Sequence, residues 1–396
     1  MSPIPAINLA SLARRHRARV LALAGEERLM VATSPPNVVY CSGYRSMGYD
    51  TDPAQRMAAV FTNDEWILVG PTADLWAAQE ASGHPVAQYG LRYFAYRTFF
   101  FDDAEAREAT ATRVISFATY EEALAAAIAA LAGARRALAI EGPPPATLPA
   151  DLAVLPPENT AALFRRARMI KDADEIALLR YATRETENAL AAALAQARAG
   201  VSELDLAAEI SAWMIRAGIR PGFIAVTSGP RAAFADAHAA PRRLTPGDLL
   251  RIDIGGSLQG YWSDTARSAV VGEPSAEICG VDTAIVAGQR AALALVGPGV
   301  RSDALFHATV EAVRAAGLPH YRRHHVGHGL GLDSHEYPTL GPAEPVALEP
   351  GMVINVETPY YRPGWGGLMY EDTLVITEDG TDRLTTLDAG LLILPA

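Results

Sequence analysis

The chain has 396 residues, of which 50% are hydrophobic and 20% charged, with a formal net charge of −11. That length calls for two domains rather than one core, and the composition is that of a globular enzyme. The acidic balance excludes nucleic acid as a partner, because phosphate binding needs a basic face, and no apolar run reaches the ~18 residues that a membrane span requires.

The first predicted element is a helix over residues 6–25, with Leu9, Leu12, Ala13 and Val20 along one side. No secretory leader is visible in this segment, since its apolar stretch is too short. RLMVATSPPNVVYCSGY reads as a strand, a Pro-Pro-Asn break and a short second segment ending at glycine. MAAVFTNDEWILVGP reads as two strands about an Asn-Asp turn. Residues 72–82 read as a helix, YEEALAAAIAALAG as a helix closed by Gly133, and RRALAIEG as a strand. This alternation is that of an α/β domain.

The proline-rich stretch GPPPATLPADLAVLPPENT follows, and we place the boundary there, giving domains 1–160 and 161–396. Beyond it the spacing predicts a long helical region capped by Asp172 or Asp174 and stopped by Gly200. A second helix is expected over VSELDLAAEISAWMIRAG, and two more over ICGVDTAIVAGQRAALALVGPG and DALFHATVEAVRAAG. The two cysteines, Cys41 and Cys279, fall in different domains. A structural disulfide is therefore not expected, and a reducing, cytoplasmic compartment is.

Five residues of the second half carry the chemistry. They are Asp253 in LLRIDIGG, Asp264 in GYWSDTARS, His328 between two glycines in VGHGLGLDSHE, Glu357 in VINVETP and Glu371 in GLMYEDTLVIT. Each sits in an apolar strand-like run or a glycine turn. An ionised carboxylate removed from water costs several kcal/mol unless paired or coordinated, and these stretches hold too few Lys or Arg residues to neutralise four of them. Two divalent cations would do so. A donor set rich in oxygen with one imidazole suits manganese, cobalt or iron(II), with zinc as an alternative, and a pair of ions is an arrangement that activates water.

The phrases GYWSDTARSAVVGEPS, VGHGLGLDSHEYP, LEPGMVINVETP and YEDTLVITEDG, in this order, resemble the M24 metallopeptidase family. The likeness is to its Xaa-Pro aminopeptidase, prolidase and creatinase branch, and it is strong over residues 165–396 and weak before residue 160. The resemblance implies a ribonuclease-H-like α/β N-terminal domain of the creatinase type followed by an α+β pita-bread catalytic domain. It implies that Asp253 chelates one ion and Asp264 bridges both, and that His328, Glu357 and Glu371 complete the set. Glu357 would move the proton, His238 and His335 would stabilise the oxyanion, and His324 would face the substrate. His307 and His325 take no role in it and read as structural. The aromatic loop TPYYRPGWGG offers Tyr361 and Trp365 as substrate-binding candidates. A homodimer is implied, with YRSMGYD (44–50) and YRTFFFD (96–102) as candidate contacts.

The pattern departs from the family at Met369, where Xaa-Pro aminopeptidases carry an arginine. Methionine offers no bidentate donor in its place. Two enzymatic readings follow: an Xaa-Pro aminopeptidase or dipeptidase acting on small peptides, and a C–N hydrolase of the same fold acting on a small metabolite such as ectoine. A non-catalytic binding module is the third reading. Gly255, where a related lyase has an aspartate, counts against that lyase.

Overall fold

The structure is a computed structural model that describes residues 3–25, 27–52, 54–81, 91–97, 114–133, 135 and 137–396. The 98–102 part of the second candidate dimer motif lies outside the described residues. The chain forms two compact units, residues 6–168 and residues 169–396 joined by residues 1–5.

In the first unit, α1 (Leu9–Ala24) starts at Asn8, whose side-chain oxygen accepts from the Ser11 N–H, and it buries Leu12, Ala13 and Val20. β1 (Leu29–Ala32) runs into α2 (Pro35–Ser42). The Pro-Pro pair, expected to break a strand, instead opens this helix behind Ser34. Proline at the first helical positions gives up no hydrogen bond, because those N–H groups have no intrahelical acceptor. After α3 (Met47–Thr51), β2 (Ala58–Phe61) and β3 (Trp66–Pro71) form the expected hairpin. Then come α4 (Leu75–Ala81), β4 (Leu91–Tyr96), β5 (Val114–Phe117), α5 (Tyr120–Ala132), β6 (Ala137–Ile140), β7 (Ala153–Val154) and α6 (Pro157–Met169). The sheet order is β5-β4-β3-β2-β1-β6-β7, with β2 antiparallel to both neighbours and the other pairs parallel. Ala123, Ala127 and Ile128 of α5 close one face of it over Val31, Val60 and Val69.

The second unit opens with α7 (Ala173–Gln196), where Asp172 caps the Asp174 and Glu175 N–H groups and Glu175 returns the bond. This helix ends at Gln196, short of Gly200. α8 (Glu203–Arg216) carries a second such box from Ser202 and Asp205. There follow β8 (Arg220–Ser228), β9 (Leu249–Leu258), β10 (Tyr261–Trp262), β11 (Thr265–Val271), α9 (Ala276–Leu295) and α10 (Ser302–Ala315). The remaining strands are β12 (Gly327–Gly329), β13 (Glu336–Thr339), β14 (Val353–Glu357), β15 (Tyr360–Arg362), β16 (Gly366–Leu368), β17 (Glu371–Ile376), β18 (Thr381–Arg383) and β19 (Leu392–Leu394). One five-stranded sheet runs β10-β9-β11-β19 with β8 also on β9, and another runs β13-β12-β14-β17-β18. The α7–α8 pair packs on the first sheet, and α9, paired with α10, packs on β14 of the second.

Helix α9 is long and apolar enough to cross a membrane by length and composition. Here it is a core helix, with Ile278, Val281, Ala284 and Ile285 buried among Leu305, Val313 and Ile354.

The box at Ser202 gives a local stability test. Ser202 Oγ accepts from the Asp205 N–H at 3.1 Å, and Asp205 accepts from the Ser202 N–H at 2.9 Å. Ser202→Ala removes the first bond and the one its hydroxyl donates to Asp205 Oδ2 at 2.7 Å, and should cost about 1 kcal/mol. A melt should show a fall of roughly 2–4 °C for a unit of this size; an unchanged Tm would mean that water replaces the cap.

Candidate metal centre and active site

Asp253 lies on β9, directly opposite Ala266 of β11, and Asp264 is the residue just before β11 begins. The β9–β11 hairpin therefore brings the two aspartates to one end of one sheet. Glu357 closes β14 and Glu371 opens β17, and the two are register partners in an antiparallel pair. Like charges directly opposite across strands repel, so this pairing calls for a cation. His328 is the middle residue of β12, paired with Asn355 of β14. Its neighbour Gly327 has φ +140, and a Cβ there would lie 2.0 Å from the Asn355 carbonyl oxygen, so only glycine lets β12 come this close.

These elements bring the five residues together. Side-chain oxygens of Asp253, Asp264 and Glu371 lie within 4.8 Å of one another, and so do ligand atoms of Asp264, His328 and His335. His328 Nδ1 stands 2.9 Å from the Gly329 carbonyl, which only accepts, so Nδ1 donates. That leaves Nε2 as an unprotonated lone pair. It points toward Asp264 Oδ2 at 3.5 Å and makes no hydrogen bond. Glu371 Oε2 is likewise buried without a partner.

Burial pushes the Asp253 carboxyl up to about 6 against the pull of Arg251, with the Glu357 charge adding to the rise. Burial and then the Asp253 charge raise Asp264 well above the usual range; burial and then Asp264 do the same to Glu371. Burial and then His335, stacked on it at 3.8 Å, lower His328 to about 4. Three carboxylates that resist ionising, one imidazole held neutral, and two buried atoms with no partner fit a divalent cation.

Glu357 behaves differently. Burial alone would raise it, but His325 Nδ1 at 3.0 Å and Arg323 Nη2 at 3.0 Å, both on Oε1, hold it well below the usual carboxylate range. The family resemblance leaves His325 without a role. Nothing in the sequence marks His325 or Arg323 apart from their place two and four residues ahead of Gly327 in RRHHVGHG.

Arg251 is the second omission. It is fully buried, and strand alternation puts it on the same face as Asp253, two residues on. Its guanidinium donates to Asp253 Oδ2 at 3.0 Å and to the carbonyls of Ala232, Phe234 and Ala235, and it lies 3.9 Å from Met369 Sδ. A positive charge thus sits beside Met369, where the sequence alone left none. The lone arginine in LLRIDIGG was the available signal.

A cavity of 690 Å³ opens over the cluster. His238, His324, His335 and Tyr361 all line it, as do Phe223 and Asp236. His335 is exposed and is lowered by burial of part of its ring, and His324 is lowered chiefly by burial. The Tyr361 hydroxyl donates to Met369 Sδ at 3.2 Å and its ring lies under the Arg251 guanidinium at 5.3 Å. Trp365 does not reach the cavity wall. Its indole N–H donates to Glu277 at 3.1 Å and Arg362 covers its ring at 4.5 Å. The β15–β16 turn carries it outward, so it packs against α9 rather than against a ligand.

Residues 177–378, which contain all five clustered residues, match the family model described as "Metallopeptidase family M24". The chain belongs to metallopeptidase family M24. The probable dipeptidase PepE of Mycobacterium bovis is 35% identical over 273 residues, covering 67% of this chain and 72% of that protein. Among solved structures, the dipeptidase PepE from Mycobacterium ulcerans superposes with a TM-score of 0.77 at 27% identity, over 98% of this chain and 99% of that one. The prolidase from Pyrococcus furiosus superposes with a TM-score of 0.70 at 25% identity, over 93% and 98%. The M24 chain described here thus has the pita-bread fold behind an α/β N-terminal region, and it is a metal-dependent hydrolase of peptide or amide bonds.

Proposed function

We propose that this M24 enzyme cleaves small Xaa-Pro peptides with two divalent ions held by Asp253, Asp264, His328, Glu357 and Glu371. The observation that supports this best is the buried cluster itself, with its raised carboxyls and the unpartnered Glu371 Oε2 and His328 Nε2. The kinship to proteins named Xaa-Pro dipeptidase and prolidase points the substrate toward proline peptides. We take manganese as the first metal to load, a homodimer as the assembly and the cytoplasm as the compartment.

When bound, the ions supply Lewis acidity, acidifying water and polarising the scissile carbonyl. Glu357 accepts the proton of the attacking water and returns it to the leaving nitrogen. That return matters for proline, whose secondary amine is a poor leaving group until protonated. His335, kept neutral by partial burial, and His238 each offer one N–H to the oxyanion. Asp253 is oriented by Arg251, and His328 by the Gly329 carbonyl. The cavity walls at Phe223 and Tyr361 shed water around the reacting bond.

The small-metabolite reading rested on Met369. The Arg251 guanidinium beside Met369 is fully buried and committed to Asp253 and the carbonyls of Ala232, Phe234 and Ala235, so it offers no donor to a substrate, and the peptide reading leans on the kinship instead.

The test strips the purified protein with chelator, reloads it with manganese, and follows Xaa-Pro dipeptides, non-proline dipeptides and small acylated or cyclic metabolites by mass spectrometry. Cleavage at Xaa-Pro that appears only on reloading is the expected result. Turnover of a metabolite such as ectoine with every peptide intact would overturn the peptide assignment.

A further inference from the structure

Asp236 lines the 690 Å³ cavity and is exposed to solvent there. It joins neither group of ligand atoms that lie within 4.8 Å of one another in the centre. Its negative charge nonetheless reaches both Asp253 and His335, where it acts alongside the stronger effects of burial and of other charges. Among the described residues no hydrogen bond or ion pair engages its carboxylate. The backbone on either side of it is pinned. The buried Arg251 guanidinium donates to the carbonyls of Phe234 and Ala235 at 2.8 and 2.7 Å. Arg231 donates to the His238 carbonyl at 2.8 Å, and Glu203 accepts from the Ala240 N–H at 2.9 Å. Asp236 is thus an unpaired carboxylate on a fixed segment beside the reaction centre.

The same cavity has an apolar wall. Phe223 lines it, paired with Gly255 of β9, two residues beyond Asp253. A Cβ at Gly255 would lie 2.4 Å from the Phe223 ring, so the glycine is what admits that ring, and Trp262 stacks on it with centroids 6.4 Å apart. Apolar surface and a free carboxylate in one cavity match a lysine or arginine side chain, which buries its methylenes while its charged head stays in water.

Resting on the peptide reading above, we propose that Asp236 recognises the cationic side chain of a lysine or arginine at the first residue of the substrate, so that the enzyme favours a basic Xaa before proline. The other carboxylates that line the cavity, Asp253, Asp264, Glu357 and Glu371, are assigned to the metal ions, which leaves Asp236 for the substrate. The substrate's α-amine is attached one carbon from the scissile carbonyl and so stays with the ligand cluster. Asp236 lies outside that cluster, where a long side chain reaches. Proline, on the other side of the bond, has no charged side chain to offer.

The test gives the manganese-loaded enzyme Lys-Pro, norleucine-Pro and Glu-Pro, and the same three first residues ahead of alanine instead of proline. Norleucine keeps the lysine stem without its charge. The wild type should favour Lys-Pro over norleucine-Pro roughly 3- to 5-fold in kcat/KM, the upper range for an ion pair that water reaches, and mostly through KM. Added salt should shrink that preference, and Glu-Pro should be cut least well. Asp236→Asn should erase the lysine preference, and Asp236→Lys should invert it toward Glu-Pro. Because each result is a ratio between substrates, a general loss of activity or metal cancels. Lysine preference ahead of alanine, with every Xaa-Pro peptide intact, would overturn the proline assignment and keep the role of Asp236. Equal cleavage of Lys-Pro and norleucine-Pro by the wild type at low salt would keep the proline assignment and overturn the role of Asp236. An equal loss on Lys-Pro and norleucine-Pro in Asp236→Asn, with their ratio unchanged, would also overturn it, because the carboxylate would then serve the α-amine or the segment that carries it.

Discussion

Glu357→Gln should lower kcat by roughly 10²- to 10⁴-fold, the range for loss of a general base, with a much smaller change in KM. The substitution keeps the side chain's volume and one oxygen donor, so β14 and its pairing with β17 need not move. What it removes is the capacity to take a proton. Glu357 is the carboxyl of the four that its surroundings keep ionised and so able to accept a proton; the same donors lower its basicity and ease the proton's return to the leaving nitrogen. Asp253, Asp264 and Glu371 are pushed toward the neutral form, whereas the His325 hydrogen bond and then Arg323 hold Glu357 ionised. Pairs of acidic groups driven apart in this way commonly mark divided roles. Elemental analysis of the variant separates the two duties assigned to Glu357. Retained metal with lost turnover makes it the base. Metal and turnover lost in proportion make it only a ligand, and full turnover would remove it from the chemistry.

The five clustered residues were legible in the sequence because carboxylates inside apolar strands contradict their surroundings. Asp253 in LLRIDIGG and Glu371 in GLMYEDTLVIT each break a local rule, and such breaks collect at functional sites. The helices were legible chiefly through apolar spacing, and of the two candidate caps, Asp172 and Asp174, the structure uses Asp172. Local signals failed where a choice depended on distant partners. Besides Asp253, Arg251 finds its acceptors in residues 232–235, a segment that follows β8 rather than neighbouring Arg251 in sequence. Arg323 and His325 find theirs on β14, over thirty residues on. Trp365 looked like a pocket wall because aromatic loops often are, but the direction of the β15–β16 turn decides what it touches, and that turn faces Glu277. At Pro35 the same residue type both breaks strands and opens helices, and no local cap distinguishes the two: the Ser34 hydroxyl donates to the distant Glu141 rather than capping the helix.

Asp264→Asn should abolish activity and metal-dependent stabilisation while raising the Tm of the chelator-treated protein by several degrees. The two effects share one cause. In the absence of a cation, burial and then the Asp253 charge oppose ionisation of Asp264, so the carboxylate weakens the fold that carries it. A ligand that binds only the folded state offsets this by mass action, and asparagine gives up both the repulsion and most of the affinity. The pH dependence has a definite sign. A carboxyl whose folded pKa is raised contributes stability that is fully present below its unfolded value, near 4, and is lost as pH rises through the folded value. Asparagine does not titrate, so the Tm advantage of the variant should be absent near pH 4 and grow as pH rises through the raised folded value of Asp264. The difference between the two proteins also carries the relief of Glu371, which the Asp264 charge raises, and any change at His328, 3.5 Å away, so the Tm advantage belongs to the cluster and not to Asp264 alone. Melts of both proteins across that range, with chelator and with manganese, provide the check. A variant that melts lower than wild type at every pH, even without metal, would mean that Asp264 holds the β9–β11 hairpin together by its own contacts. The cluster would then be a structural feature rather than a strained site held in place by its ions.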